Sequence, residues 1–232
     1  MNRQTLHDLR PPTFAARLLE ARAPLEFWSL LPAAGMLRRQ PRGDGRPIVV
    51  LPGFTADDRS TAPLRSYLSW LGYDARPWGL GRNRGDPERD AERLLARLDA
   101  GPPVTLVGWS LGGVVARLVA SGAPEQVREV VTLGTPVEGG PKYTSTASLY
   151  ARARGVDLDA FERHVHEVNT RGIPVPLTIV YSRSDGVVGW RAALDRYNPG
   201  ARHVEVRGSH LGLGVSPTVW RILARILAGH EP

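Results

Sequence analysis

The sequence predicts an α/β protein: a mostly parallel central sheet flanked by helices, in one domain of 232 residues. Short runs rich in β-branched residues alternate with amphipathic stretches, as parallel strands joined by helical crossovers require. Those runs are apolar throughout instead of alternating, the mark of strands covered on both faces. Residues able to do chemistry fall just beyond the ends of the runs, where open α/β sheets place their active groups.

Pro47-Ile48-Val49-Val50-Leu51 reads as a buried strand ending at Pro52-Gly53. A helix follows, with Thr61 as N-cap, Pro63 in its first turn, Leu64, Tyr67, Leu68 and Leu71 on one face, and Gly72 as its stop. The stretch from Asp74 to Trp78 is a shorter strand that leads into the glycine-rich loop Gly79–Gly85. Asp86-Pro87-Glu88 opens a second helix with Leu94, Leu95 and Leu98 inward. Val104-Thr105-Leu106-Val107 is the next strand, and the helix after it carries Leu111, Val115, Leu118 and Val119 on one face as far as Gly122. Val130-Val131-Thr132-Leu133 is a further strand. From Val137 to Pro174 the pattern loosens, over a length that predicts an insertion. Alternation resumes with Leu177–Tyr181, a helix near Val187–Leu194, the strand His203–Val206, and a last helix from Ser216-Pro217 with Ile222, Leu223, Ile226 and Leu227 inward. The domain thus divides into an N-terminal helical segment (1–46), a core (47–136 and 176–232) and a cap or lid insertion (137–175).

Hydrophobic residues at 42% and charged ones at 23% suit a chain with a substantial core. No stretch approaches the ~20 apolar residues of a membrane span. The most apolar early segment, Ala23 to Leu37, is broken by Pro24, Glu26 and Pro32 and lacks the flanks of a signal peptide, so a cytoplasmic location is expected. The absence of cysteine removes disulfides, thiolate metal sites and a cysteine nucleophile. The net charge of +7 raises the question of nucleic acid or anionic membrane. Lys142 is the only lysine, a skew toward arginine that fits a GC-rich genome better than a phosphate-binding surface. No basic stretch is interleaved with aromatics, and no nucleic-acid partner is expected. Residues 1–46 hold eight arginines against Asp8, Glu20, Glu26 and Asp44. Phe14, Leu18, Leu19 and Phe27, Trp28, Leu30, Leu31 read there as two short amphipathic helices, which either dock on the domain or make a peripheral membrane contact. The loop Gly79–Gly85 fits neither a Rossmann turn nor a P-loop and reads as a connection near the active face. Nothing in the sequence fixes an oligomeric state.

Gly108-Trp109-Ser110-Leu111-Gly112 places a serine between an apolar strand and an amphipathic helix. A strained strand-to-helix turn exposes the hydroxyl there, and side chains at 108 or 112 would collide with neighbouring backbone. A serine hydroxyl needs a base. Of the six histidines, His7 and His230 lie near the termini, His164 and His166 face different sides of a helix, and His203 sits within a strand. His210, in Gly208-Ser209-His210-Leu211-Gly212 beyond the last strand, is the base. Asp185, in Ser182-Arg183-Ser184-Asp185-Gly186 beyond Tyr181, is the acid that orients it; its alternative role is a helix cap, and its rivals are Asp195 and Glu205. The oxyanion donors are the backbone N–H groups of Leu111 and Phe54, the latter in the loop Pro52-Gly53-Phe54. Neither metal nor organic cofactor is required.

Together these elements resemble the α/β-hydrolase family, from about residue 47 to the C-terminus, and specifically its bacterial esterases and lipases. The stretch Thr132-Leu133-Gly134-Thr135-Pro136-Val137-Glu138-Gly139-Gly140 is similar to the lipase segment leading from a core strand into the lid, although lipases commonly carry a histidine where Val137 stands. Pro52 likewise replaces the histidine of the usual His-Gly oxyanion loop. Gly108-Trp109-Ser110-Leu111-Gly112-Gly113 is also similar to small carboxylesterases. The resemblance implies hydrolysis of a small-molecule or lipid ester through an acyl-enzyme, with 137–175 as a cap and Trp109, Val137, Val187 and Leu211, beside Phe54 and Leu111, as walls of the acyl site. The alternatives are an acyltransferase or perhydrolase using the same triad, and a non-catalytic hydrolase-like binding protein.

Overall fold

The apolar runs form a single all-parallel sheet in the computed structural model, which describes residues 9–98 and 101–231. Its strands are β1 (Pro47–Leu51), β2 (Asp74–Pro77), β3 (Val104–Trp109), β4 (Val127–Leu133), β5 (Leu177–Tyr181) and β6 (Arg202–Glu205), in the order β2-β1-β3-β4-β5-β6. The period of two along each strand sends successive side chains into different layers. Ile48, Val50, Val107, Val131 and Val180 pack in one layer, while Val49, Leu51, Leu106, Val130 and Ile179 pack in the other. Helices α4 (Asp58–Leu71) and α9 (Pro217–Leu227) cover the first face, and α5 (Pro87–Leu95) and α6 (Leu111–Gly122) cover the second.

Two local expectations give way to stronger local chemistry. The helix expected to start at Thr61 starts a turn earlier: Asp57 caps it by accepting from Arg59 N at 2.9 Å, and the Thr61 hydroxyl donates back to Asp58 O. Pro63 consequently lies inside the helix, depriving Arg59 O of its intrahelical donor. The expected helix at 187–194 is absent. Overlapping four-residue turns replace it, with Ala192 N, Ala193 N and Leu194 N bonded to Gly189 O, Trp190 O and Arg191 O. Val187 O accepts from Ser145 N and Gly189 N donates to Tyr143 O, an antiparallel bridge with the insertion that engages the backbone a helical ladder would use.

Before β1 the chain runs as a strap of short helices, α1 (Phe14–Leu19), α2 (Ala23–Trp28) and α3 (Leu30–Leu37), where two were expected. Leu9, Ala16, Ala23 and Leu37 are its buried apolar contacts with the core. His7 lies outside the described residues. Between β4 and β5 the insertion forms α7 (Ala147–Arg154) and α8 (Leu158–Asn169). A buried polar cluster holds the end of α8: Arg117 of α6 pairs with Asp195 at 2.5 Å and donates to Asn169 Oδ1, and Asn169 Nδ2 donates to Val137 O at 2.8 Å. Burial opposes the Asp195 charge, but Arg117's charge and hydrogen bond outweigh it and hold that carboxyl below its ordinary value.

Both members of that pair are almost fully buried, so removing one strands the other. Asp195→Ala should lower the unfolding free energy by about 3–5 kcal/mol, read from urea denaturation; a loss under about 1 kcal/mol would remove the pair from the account of how the cap is held.

Candidate active site

Ser110 sits where β3 passes into α6, at φ 54° and ψ −123°, one of the positive-φ residues other than glycine. Such a backbone is strained and persists only when its surroundings impose it. Here they do. A Cβ at position 108 would stand 2.3 Å from Gly113 Cα, one at 112 would stand 2.4 Å from Leu51 O, and one at 113 would stand 1.9 Å from Thr135 Oγ1. Ser110 N donates to Leu133 O at 2.8 Å, and Thr135 Oγ1 donates to Ser110 O at 2.9 Å, so the tip of β4 clamps the turn from both sides.

The loop after β1 runs beside the same turn: a Cβ on Gly53 would lie 3.2 Å from Ser110 Cβ. Thr55 N, Ala56 N and Gly113 N are engaged with backbone carbonyls, whereas Phe54 N and Leu111 N have no such partner among the described hydrogen bonds. Asn83, fully buried, fixes this loop by donating from Nδ2 to Pro52 O at 3.0 Å and accepting from Gly85 N at 3.1 Å. The glycine-rich loop is therefore a brace for the candidate oxyanion loop, a role its sequence did not reveal.

His210 and Asp185 lie on the loops beyond β6 and β5, buried to within 4% and 3% exposure. Asp185 Oδ2 accepts from His210 Nδ1 at 2.7 Å while Oδ1 accepts the Val187 and Val188 N–H groups. Of the two roles considered for Asp185, the helix cap falls away because no helix follows it; Oδ1 holds a turn while Oδ2 meets His210. Burial disfavours the imidazolium, yet the charge and hydrogen bond of Asp185 and the charge of Glu20 outweigh it, and His210 titrates above its ordinary 6.5. The rivals are committed elsewhere: Asp195 to Arg117, and Glu205 to Arg183 at 3.0 Å. His164 meets Glu88, His166 meets Tyr197, and His203 Nε2 accepts from Asp195 N.

A cavity of about 150 Å³ opens from Ser110 beneath α7 and α8. Leu111, Val114, Val137, Val165, Val168 and Val187 supply much of its wall. Phe54 lies at the mouth, edge to face with Tyr150 at 5.4 Å, and Tyr150 meets Phe161 in the same manner at 5.7 Å.

A family model described as the alpha/beta hydrolase fold matches residues 46–165, just over half of the chain. The chain belongs to the α/β-hydrolase family. Solved structures of similar fold include one from a study of two metagenome-derived lipolytic enzymes (15% identity, TM-score 0.60, covering 82% of this chain and 96% of that one). Another is an N-acyl homoserine lactone degrading enzyme (18% identity, TM-score 0.57, 79% and 93% covered), and a third is a thioesterase domain from the curacin biosynthetic pathway (15% identity, TM-score 0.52, 82% and 91% covered). At such identities the likeness is one of fold.

Against this hydrolase fold, two expected wall residues are displaced. Trp109, last in β3, turns away from the cavity: its indole N–H donates to His210 O at 3.1 Å and its ring packs on the core and on Gly214. Leu211 follows inward-facing His210 and so faces outward, 47% exposed.

Glu20 and Glu26, on the strap that precedes the matched residues, read in the sequence only as acids among eight arginines. Glu20 accepts from Gly186 N at 2.8 Å, His210 N at 2.7 Å and Leu211 N at 3.1 Å; Glu26 accepts from Ser209 N at 3.0 Å and from the Ser209 hydroxyl. Two helical carboxylates thereby hold the loops carrying Asp185 and His210. The only signal in the sequence was two acids in an otherwise basic, apolar segment.

Glu20→Gln keeps an acceptor oxygen and removes a charge that favours the imidazolium. The NMR titration midpoint of His210 should therefore lie above 6.5 in the native protein and move to lower pH in Glu20→Gln. An unmoved midpoint would show that the Glu20 charge does not reach the imidazole.

Proposed function

We propose that the chain is a serine hydrolase that cleaves carboxylic esters with an apolar acyl group. The observation that carries this reading is the buried Asp185–His210 hydrogen bond on loops that flank the strained Ser110 turn. With Nδ1 committed to Asp185, His210 Nε2 is the nitrogen that takes the Ser110 proton as Oγ attacks the ester carbonyl. The developing oxyanion is received by the N–H groups of Phe54 and Leu111, the second at the N-terminus of α6 where the helix dipole adds to its effect. The imidazolium then protonates the leaving alcohol. Water, deprotonated by the same nitrogen, attacks the acyl-enzyme and frees the acid. No step calls for a metal or organic cofactor.

The character of the cavity supports the acyl specificity, since Leu111, Val114, Val137, Val165, Val168 and Val187 line it, although Asp86, Glu88, Arg117 and Arg154 line it too. Transferring one methylene from water to such a site is worth about 0.8 kcal/mol, so kcat/KM on a series of aryl esters should rise by up to roughly fourfold per added methylene until the cavity is filled.

A fluorophosphonate probe should label the folded protein on Ser110 and leave Ser110→Ala unlabelled. Failure of the native protein to label would favour a binding protein over an enzyme. Asp185→Asn should reduce kcat by roughly four orders of magnitude with the fold intact; near-normal turnover would mean that another acid serves His210. Product analysis with added alcohol separates hydrolysis from acyl transfer, and an excess of transfer product would reassign the chain as an acyltransferase.

The brace on the oxyanion loop has its own test. Asn83→Ala should lower kcat by about tenfold to a hundredfold, because small misplacements of a catalytic group carry costs of that order. A KM effect alone would place Asn83 outside the chemical step.

A further inference from the structure

Over α1 and α2 the strap inverts the usual division of a docked helix, whereas α3 buries Leu37 and packs Leu30 and Met36 on the core. From Phe14 to Trp28 its inward positions are small or charged: Ala16 and Ala23 are buried, and Glu20 and Glu26 reach the backbone of the 186 and 209–211 loops. Its large apolar side chains face solvent instead, with Phe14 75%, Leu25 73%, Leu31 69%, Trp28 62% and Leu18 61% exposed. In an ordinary amphipathic helix these side chains would occupy the buried stripe. A single exposed leucine is unremarkable, but a row of this size along one segment marks a contact surface. Phe14 and Leu18 are four apart in α1, and Leu25 and Trp28 are three apart in α2, so each pair shares a face of its own helix.

The exposed charges along the strap itself have one sign. Among the described residues as far as Arg39, the exposed charged side chains are Arg10, Arg17, Arg38 and Arg39. The acids of this stretch, Glu20 and Glu26, are turned inward, and Arg22 is paired with Glu26 at 3.0 Å. An apolar row fringed by arginine is complementary to a lipid surface with anionic headgroups. A second copy of the chain is a poorer match, because a two-fold interface would set the same cationic fringe against itself.

We propose that this strap docks on an anionic lipid bilayer. Phe14, Leu18, Leu25, Trp28 and Leu31 enter the interfacial region, and the four arginines meet the headgroups. The contact is peripheral: no helix among the described residues is long and apolar enough to cross a membrane. The surface borders the candidate catalytic loops, since Glu20 on the same strap holds His210 N and Leu211 N.

The full-length protein is tested for co-sedimentation with vesicles of phosphatidylcholine alone and of phosphatidylcholine with phosphatidylglycerol. Binding should require phosphatidylglycerol and weaken as salt is raised. Leu18→Ser/Leu25→Ser/Trp28→Ser should bind at least about tenfold more weakly at an unchanged unfolding temperature. Arg17→Glu/Arg39→Glu should lose the preference for phosphatidylglycerol. Absence of binding to either vesicle, or undiminished binding by the apolar variant, would overturn the proposal. So would a dimer in sedimentation velocity that the apolar substitutions dissociate, which would assign the face to a second copy. Binding is read without turnover, so the result stands apart from the ester-hydrolase reading.

Discussion

The backbone around Ser110 crosses its neighbours so closely that positions 108, 112 and 113 admit only a hydrogen on Cα. The tips of β1, β3 and β4 meet at this crossing: Leu51 O lies against Gly112, and Leu133 O accepts from Ser110 N. Whatever follows those strands must then surround the serine. The β1 loop brings Phe54, the β4 tip brings Thr135 and the start of the cap, and the first turn of α6 brings Leu111. The positive φ of Ser110 is stable because three packed strands enforce it.

The loops beyond β5 and β6 have a different problem. They carry buried polar side chains yet belong to no ladder, so their backbone donors need partners from side chains. Asp185 satisfies Val187 and Val188; Ser182 receives Ser184 N and donates to Gly208 O; Ser209 receives Gly212 N. Glu20 and Glu26 supply the remainder from outside the core. Leaving one such buried N–H unpaired costs about 1–3 kcal/mol, comparable to a large fraction of the stability of a domain.

Much of this was legible in the sequence because it is governed by local rules. Strand β5 falls on Leu177–Tyr181 as read, α6 begins after Ser110, and Pro217 opens α9 behind Ser216. The placement of Ser110, Asp185 and His210 beyond separate strands was likewise available from alternation alone. What escaped was decided by partners distant in the chain. Asn83 could not announce that it holds Pro52 O, nor Arg117 that it meets Asp195. Thr61 lost the helix start to Asp57 through a competition between two capping residues four apart, and the expected 187–194 helix lost to a bridge between Val188 and Thr144 of the insertion. Trp109 was misplaced for a simpler reason: strand alternation sends it to the face opposite the cavity, and proximity to the serine in sequence said nothing of direction.

The reach of Glu20 and Glu26 separates the boundary of the fold from the boundary of the site. A chain starting at β1 would retain the residues of all six strands and the side chains of Ser110, Asp185 and His210, and would lose Leu37 from one hydrophobic layer. It would also leave the amides of Gly186, Ser209, His210 and Leu211 without the acceptors they now have. A segment that looks like an appendage in the sequence is therefore part of the wall that keeps the imidazole in place.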